Sequence, residues 1–208
     1  MVDDASVNVL FVDLDGTLVA TDVLWEALRL ASKRDPLVLM KFPRWAARGR
    51  AAAKRALAQR VTPDPMMLPY REEVLAFLWE EKARGRTLVL ATATDGLWAQ
   101  AIARHVGCFD DVLASNGQRN LKGVEKLKAI KTYCQAQGVG TFAYMGDAMA
   151  DLPIWEQAAQ VYVVAPTARL VTALRPLRQP SRIFGGRRSR MSSVLQAFGF
   201  QLGVKRRL

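Results

Sequence analysis

From residue 70 to residue 165 the chain alternates apolar runs of strand length with amphipathic runs of helix length. Glu72–Lys82 reads as a helix closed by Gly85, and Thr87–Ala91 as a buried strand. Leu97–Val106 reads as a helix closed by Gly107, and Val112–Ala114 as a short strand before the Asn116-Gly117 turn. Gly123–Gln137 is a helix, Thr141–Met145 a strand, Pro153–Gln160 a helix and Val161–Val164 a strand. An earlier apolar run, Val7–Val12, supplies a further buried strand. Strands alternating with helices build a parallel sheet covered on both faces. The expected fold is α/β, a three-layer Rossmann-like parallel sheet. Chemistry in such sheets sits beyond the carboxyl ends of the strands.

Polar signals stand at that edge. The first strand runs into Asp13-Leu-Asp15-Gly16-Thr17, which puts two carboxylates on one loop. One could attack an electrophile while the other handles protons. An Asp-rich turn is the plainer reading of that segment taken by itself. The strand at 141–145 runs into Gly146-Asp147-Ala-Met-Ala-Asp151, adding two more carboxylates. Acidic residues at a helix start are ordinary, because the helix dipole favours them. Four carboxylates converging on one edge repel, however, and a Mg²⁺ held by oxygen ligands answers that cost. Thr92 ends the Thr87–Ala91 strand, where a hydroxyl beside helix N-terminal amides suits a phosphate oxygen. Thr94 lies in the same Ala-Thr-Ala-Thr-Asp run, and Thr92 is preferred for its place at the strand end. Lys122 precedes the 123–137 helix on a loop, where its side chain can reach the site. Lys126 competes with it but lies one turn inside the helix.

Composition narrows the function classes. Two cysteines, Cys108 and Cys134, give no disulfide framework and no structural zinc site. The single histidine, His105, excludes His-rich metal sites. No Walker-type, GxGxxG or GxSxG motif is present. No apolar run reaches membrane-span length, and the N-terminus lacks the basic start of a signal peptide, so a cytoplasmic setting is expected. The net charge of +11 invites nucleic acid as a partner. Its distribution argues against that. Residues 161–208 hold ten Lys and Arg and no Asp or Glu. Residues 20–69 hold ten basic and four acidic residues, and the remainder ten basic and fifteen acidic. An acidic core thus carries a basic insert and a basic tail. Aromatic residues do not interleave with the tail arginines, so no nucleic acid is expected.

The ordered set of Asp-x-Asp-Gly-Thr, the strand-end Thr92, Lys122 and Gly-Asp-x-x-x-Asp resembles the four signature motifs of the haloacid dehalogenase (HAD) superfamily of phosphohydrolases. The resemblance spans residues 8–165. It implies a Mg²⁺-dependent phosphatase acting on a phosphate monoester through an aspartyl-phosphate. Asp13 would be the nucleophile and Asp15 the general acid and base. Thr92 and Lys122 would hold the phosphoryl oxygens. The implied metal set is Asp13, Asp15, Asp147 and Asp151, with Asp15 acting through its main-chain carbonyl. Asp151 would support metal-bound waters or Lys122. An Asp at position 15 favours ester hydrolysis over carbon dehalogenation. Phosphoryl transfer to a sugar uses the same pair and stays open.

In this reading residues 1–19 and 70–167 form the core, and residues 20–69 form a small α-helical cap inserted after the first strand. Residues 168–208 form a basic tail, with an amphipathic helix over 191–204 that could lie on an anionic membrane surface or a membrane partner. Packing of that helix on the core is the competing reading. Asp13–Leu28, residues 68–74, Leu88–Asp95, Val112–Gly123 and Gly146–Trp155 are also similar to the HAD domain found fused to UbiA-family polyprenyltransferases. That similarity implies a lipid-linked or small phosphorylated substrate in prenyl-lipid or polyprenyl-phosphoribose metabolism, and a membrane prenyltransferase as partner. The alternative is a non-catalytic HAD-fold adaptor that docks through the basic tail.

Overall fold

The computed structural model describes residues 7–34, 37–177 and 179–185. Six parallel strands form one sheet: β1 (Val9–Val12), β2 (Thr87–Asp95), β3 (Asp111–Ser115), β4 (Ala143–Gly146), β5 (Gln160–Val164) and β6 (Arg182–Phe184), in the order β3-β2-β1-β4-β5-β6. Every strand-to-strand register is parallel. The chain fills one side of β1 first and then returns to its other side, so the order reverses at β1. That reversal opens a crevice at the carboxyl end of β1, where open α/β sheets place their chemistry.

Alternation along the strands explains the two cores. Leu10 and Val12 of β1, with Leu88 and Leu90 of β2, face one side and pack on α1 (Val23–Arg34), α4 (Glu72–Ala83) and α5 (Gly96–Val106). Val9, Phe11, Val89 and Ala91 face the other side and pack on α6 (Val124–Ala136), α7 (Leu152–Trp155) and α8 (Ala168–Leu174). Successive strand residues point to opposite faces, so a four-residue run with no polar member must be covered twice. Each such fully buried side chain contributes about 1.5–3 kcal/mol.

Local chemistry sets the helix ends. Asp95 closes β2 and accepts the Leu97 N–H at 3.0 Å, which caps α5. Gly107 ends α5 at φ 77°, a left-handed position that a side chain would strain. Glu72 and Glu73 open α4 and Lys82 closes it, as the helix dipole favours.

Between β1 and α4 lies a helical insert of α1, α2 (Leu37–Ala46) and α3 (Arg50–Ala58). The expected helix over 46–59 starts later, at Arg50, because Gly49 takes φ 104° and turns the chain. Two other expectations change. The helix expected over 153–160 is the short α7, and Gln160 already belongs to β5. The core does not end at 167: β6 pairs with β5 through Tyr162–Arg182, Val163–Ile183 and Val164–Phe184. Phe184 is 1% exposed and its ring centroid lies 5.1 Å from that of Phe77, so this part of the basic tail is a sheet edge. The amphipathic helix expected at 191–204 lies outside the described residues. No helix among the described residues is long and apolar enough to cross a membrane.

Candidate active site

The carboxyl ends of β1 and β4 bring the predicted carboxylates together. The Asp13 N–H donates to the Met145 carbonyl at 2.9 Å, which carries the β1–β4 pairing one residue past β1 and fixes the start of the loop. The Asp13 carboxylate accepts the Leu14 N–H at 2.8 Å. Asp147 follows β4 and accepts the Thr17 hydroxyl at 3.3 Å. Asp151 begins one turn later and is buried. Carboxylate oxygens of Asp13, Asp147 and Asp151 lie within 4.8 Å of one another.

Gly16 lets these loops meet. A Cβ built there would stand 2.1 Å from Asp147 Oδ2, and its φ of 77° is itself left-handed. Only glycine meets both conditions. Arg71 Nε donates to the Gly16 carbonyl at 3.0 Å and ties this loop to the start of α4.

Asp15 points elsewhere. Its carboxylate accepts the Thr94 hydroxyl and, at 2.8 Å, the Val23 N–H at the start of α1. It therefore stands outside the cluster of Asp13, Asp147 and Asp151, and its expected place in the metal set does not involve its carboxylate. Thr92 is fully buried, and its hydroxyl accepts the Thr94 N–H at 3.0 Å. It is not the strand end that the sequence suggested, because β2 continues to Asp95. The β2–β3 register shifts between Thr92 and Asp95; in that stretch Ala93 lines the cavity and the Thr94 hydroxyl donates to Asp15.

The largest revision concerns the lysine. Lys122 is exposed and stands at the cavity wall. Lys126 is the lysine that reaches the carboxylates. Its Nζ lies 2.9 Å from Asp13 Oδ1, 2.9 Å from the Tyr144 hydroxyl and 3.5 Å from Asp151 Oδ1. A place one turn inside α6 does not withhold it, because that turn faces the sheet. Lys126 continues the buried stripe of Leu127, Ile130 and Cys134. A lysine on an apolar helical stripe was the available signal: a cation there needs acid partners. Tyr144, which the sequence reading passed over, also donates to Asp151 Oδ1 at 2.8 Å. It sits two residues before Gly146 on β4, on the face covered by α6.

Burial dominates the electrostatics. It pushes the Asp13 carboxyl up to about 7; Lys126 opposes this, and the Asp151 and Asp15 charges add to it. Burial and Asp151 together push Asp147 up to about 6. Asp15 is also raised, first by burial and then by the Asp22 charge. Burial works against the Lys126 charge, but Asp13 and Asp151 outweigh it and hold its pKa above the ordinary value. This is a pocket of crowded, desolvated carboxylates with one buried cation among them. It attracts further positive charge.

Residues 10–156 match the family described as haloacid dehalogenase-like hydrolase. The chain belongs to that family. An uncharacterized protein, y4nM of Sinorhizobium fredii (strain NBRC 101917 / NGR234), is 39% identical over 167 residues. The match takes in 80% of this chain and 31% of that protein, so the chain spans about a third of its relative's length. Among solved structures, a protein of unknown function from Bordetella pertussis Tohama I superposes with a TM-score of 0.63 at 16% identity, covering 86% of this chain and 98% of that one. A substrate-bound phosphoserine phosphatase superposes with a TM-score of 0.60 at 15% identity, covering 92% and 98%. At those identities the likeness is one of fold.

The cluster fits a hard divalent cation. Its donors are all carboxylate oxygens, and one from each of Asp13, Asp147 and Asp151 converges within 4.8 Å of the others.

Proposed function

We propose that this HAD-family chain is a Mg²⁺-dependent phosphatase that hydrolyses a phosphate monoester through an aspartyl-phosphate on Asp13. The observation that carries the reading is the 2.9 Å contact between Lys126 and Asp13 inside the cluster of Asp13, Asp147 and Asp151.

Asp13 supplies the attacking oxygen. Its carboxylate is fixed by the Leu14 N–H and by Lys126, which orients the oxygen, and the Lys126 charge opposes the upward push of burial on its pKa. As the bond from Asp13 to phosphorus forms, the ester oxygen leaves with its electron pair and takes a proton from Asp15. Burial raises the pKa of Asp15, which favours the protonated acid that this step needs. Ionised Asp15 then removes a proton from a water that attacks the aspartyl-phosphate, which releases inorganic phosphate and restores both carboxyl groups. The Thr94 hydroxyl and Val23 N–H hold Asp15 in place for both steps. Lys126 carries the positive charge that stabilises negative charge developing on the phosphoryl oxygens. It takes the role that the sequence reading gave to Lys122. Thr92, fully buried, supports the Thr94 backbone through its hydroxyl. Asp13, Asp147 and Asp151 would hold Mg²⁺, which when bound supplies charge neutralisation to the phosphoryl oxygens.

The helical insert serves as the cap. α1 and α3 present Leu24, Ala53 and Lys54 to the cavity in front of Asp13 and Asp15. The similarity to HAD domains fused to polyprenyltransferases supports a phosphorylated intermediate of prenyl-lipid or polyprenyl-phosphoribose metabolism as the natural substrate. It also supports work at the cytoplasmic face of a membrane. Phosphate release from para-nitrophenyl phosphate tests the core of the reading. Release is expected with Mg²⁺, lost with a chelator and lost in Asp13→Asn. Equal release by wild type and Asp13→Asn would refute it.

A further inference from the structure

The cavity in front of the carboxylates is about 510 Å³, larger than a phosphoryl group needs. Its inner end holds Asp13, Asp15, Asp147, Asp151 and Lys126; its outer part is chemically different. Arg50 and Lys54 line it from α3, four residues apart and so on one face of the helix, and Lys122 lines it from the loop before α6. Leu24, Phe42, Ala46 and Ala53 form an apolar wall. Asp22 is the one acid there outside the inner cluster, and its Oδ1 accepts the Leu24 N–H at 2.8 Å.

Lys54 is the anchor of this outer part. Its Nζ donates to the Ala93 carbonyl at 2.6 Å and reaches Asn120 Oδ1 at 3.5 Å. An ammonium has three donors, so one remains for the cavity. The Asn120 contact also draws the loop that carries Lys122 toward α3. Burial lowers the Lys54 pKa; Asp15 and Asp22 oppose this, and the nearby Lys122 charge adds to it. Among the described residues neither Arg50 nor Lys122 forms an ion pair or a side-chain hydrogen bond. Asp15 and Asp13 act on Lys54 from the inner end and Asp22 from the outer part, which leaves Arg50 and Lys122 as cations of the outer lining that the phosphoryl chemistry does not use.

We propose that Arg50, Lys54 and Lys122 form an outer anion subsite that seats a second carboxylate or phosphate group of the substrate, joined to the scissile phosphate ester by a short body resting on the apolar wall. This rests on the phosphatase reading above and deepens it: the substrate carries two separated anionic groups. Charge-assisted hydrogen bonds from Lys and Arg are the strong class, and a partly closed cavity shields them from solvent.

Three probes of one linker length test it: butyl phosphate, 4-phosphooxybutanoate and butane-1,4-diol bisphosphate. Binding of each to full-length Asp13→Asn with Mg²⁺ is measured by calorimetry, and turnover of each by the wild-type chain. At least one doubly anionic probe is expected to bind about tenfold or more tighter than butyl phosphate. Adding Lys54→Gln, Arg50→Gln or Lys122→Gln should shrink that preference several-fold. Arg50 and Lys122 are exposed, so their variants report on the subsite without a folding defect. The carboxylate and bisphosphate arms show which anion is seated. Equal affinity for all three probes, or a preference untouched by all three variants, overturns the inference. Turnover separates the two claims: hydrolysis without preference sinks the subsite alone, and preference in binding without phosphate release sinks the phosphatase reading alone.

Discussion

Lys126 Nζ and Asp13 Oδ1 stand 2.9 Å apart, with 3% and 12% of their side chains exposed. An ion pair this withdrawn from water stabilises a fold only when further hydrogen bonds complete it. Here the Tyr144 hydroxyl and Asp151 do so for the lysine, and the Leu14 N–H does so for the aspartate. Lys126→Met should therefore lower kcat by about 10²–10³, the usual scale for losing one preorganised electrostatic stabiliser. Lys122→Met should act mainly on KM, since Lys122 lines the cavity from an exposed position. Steady-state kinetics on the two variants decides which lysine serves the phosphoryl group.

Gly16→Ala should disable the site without unfolding the chain. The new Cβ would meet Asp147 Oδ2 at 2.1 Å, so Asp147 must move. The left-handed backbone adds a cost of about 1–2 kcal/mol. The expected result is a far-UV circular dichroism spectrum like wild type, a higher Mg²⁺ requirement and a large loss of kcat.

The carboxylate cluster predicts a pH dependence of stability with a definite sign. Asp13 and Asp147 have ordinary values of 3.8 and folded values of about 7 and about 6. The metal-free fold thus holds protons more tightly than the unfolded chain does. Their stabilising contribution is full below pH 4 and is lost as pH rises to 6 and then 7. The Tm of the metal-free protein should fall between pH 5 and pH 7.5 from this cause. Mg²⁺ should raise the Tm more at pH 7.5 than at pH 5, because it competes with those protons. Asp147→Asn should flatten both trends. Thermal melts with and without Mg²⁺ at the two pH values check this.

The insert is held to the core by a second pair. Arg55 Nε on α3 lies 3.1 Å from Asp95 Oδ2, and the Asp95 side chain is fully buried. Trp98 Nε1 adds a bond to the Val61 carbonyl at 2.8 Å. Arg55→Met leaves the Asp95 charge buried without its partner and should cost about 3 kcal/mol. Asn still caps a helix, so Asp95→Asn keeps the cap of α5 and should recover much of that loss in the double variant. Denaturant unfolding of the two single variants and the double variant measures the coupling.

The sheet and the carboxylates were legible because each has a local signature. Buried parallel strands are short and uniformly apolar, and Asp13, Asp15, Asp147 and Asp151 stand right after two of them. Lys126 was harder, because sequence distance from a loop says nothing about which helical face meets the sheet. The apolar period of Leu127, Ile130 and Cys134 carries that information. Asp15 meets Thr94 where the β2 register shifts, which no residue pattern announced. β6 was hidden by the arginines around it. Its one strongly buried residue, Phe184, packs against Phe77 and Tyr162, which are distant in sequence.

The central claim is a covalent phosphate on Asp13, and chemical trapping addresses it most directly. The full chain is turned over with Mg²⁺ and para-nitrophenyl phosphate, quenched in acid and reduced with borohydride, which converts an aspartyl-phosphate into homoserine. Peptide mass spectrometry should then find homoserine at position 13, dependent on both substrate and Mg²⁺. Steady phosphate release with Asp13 unmodified, or with the label on another carboxylate, would contradict the account.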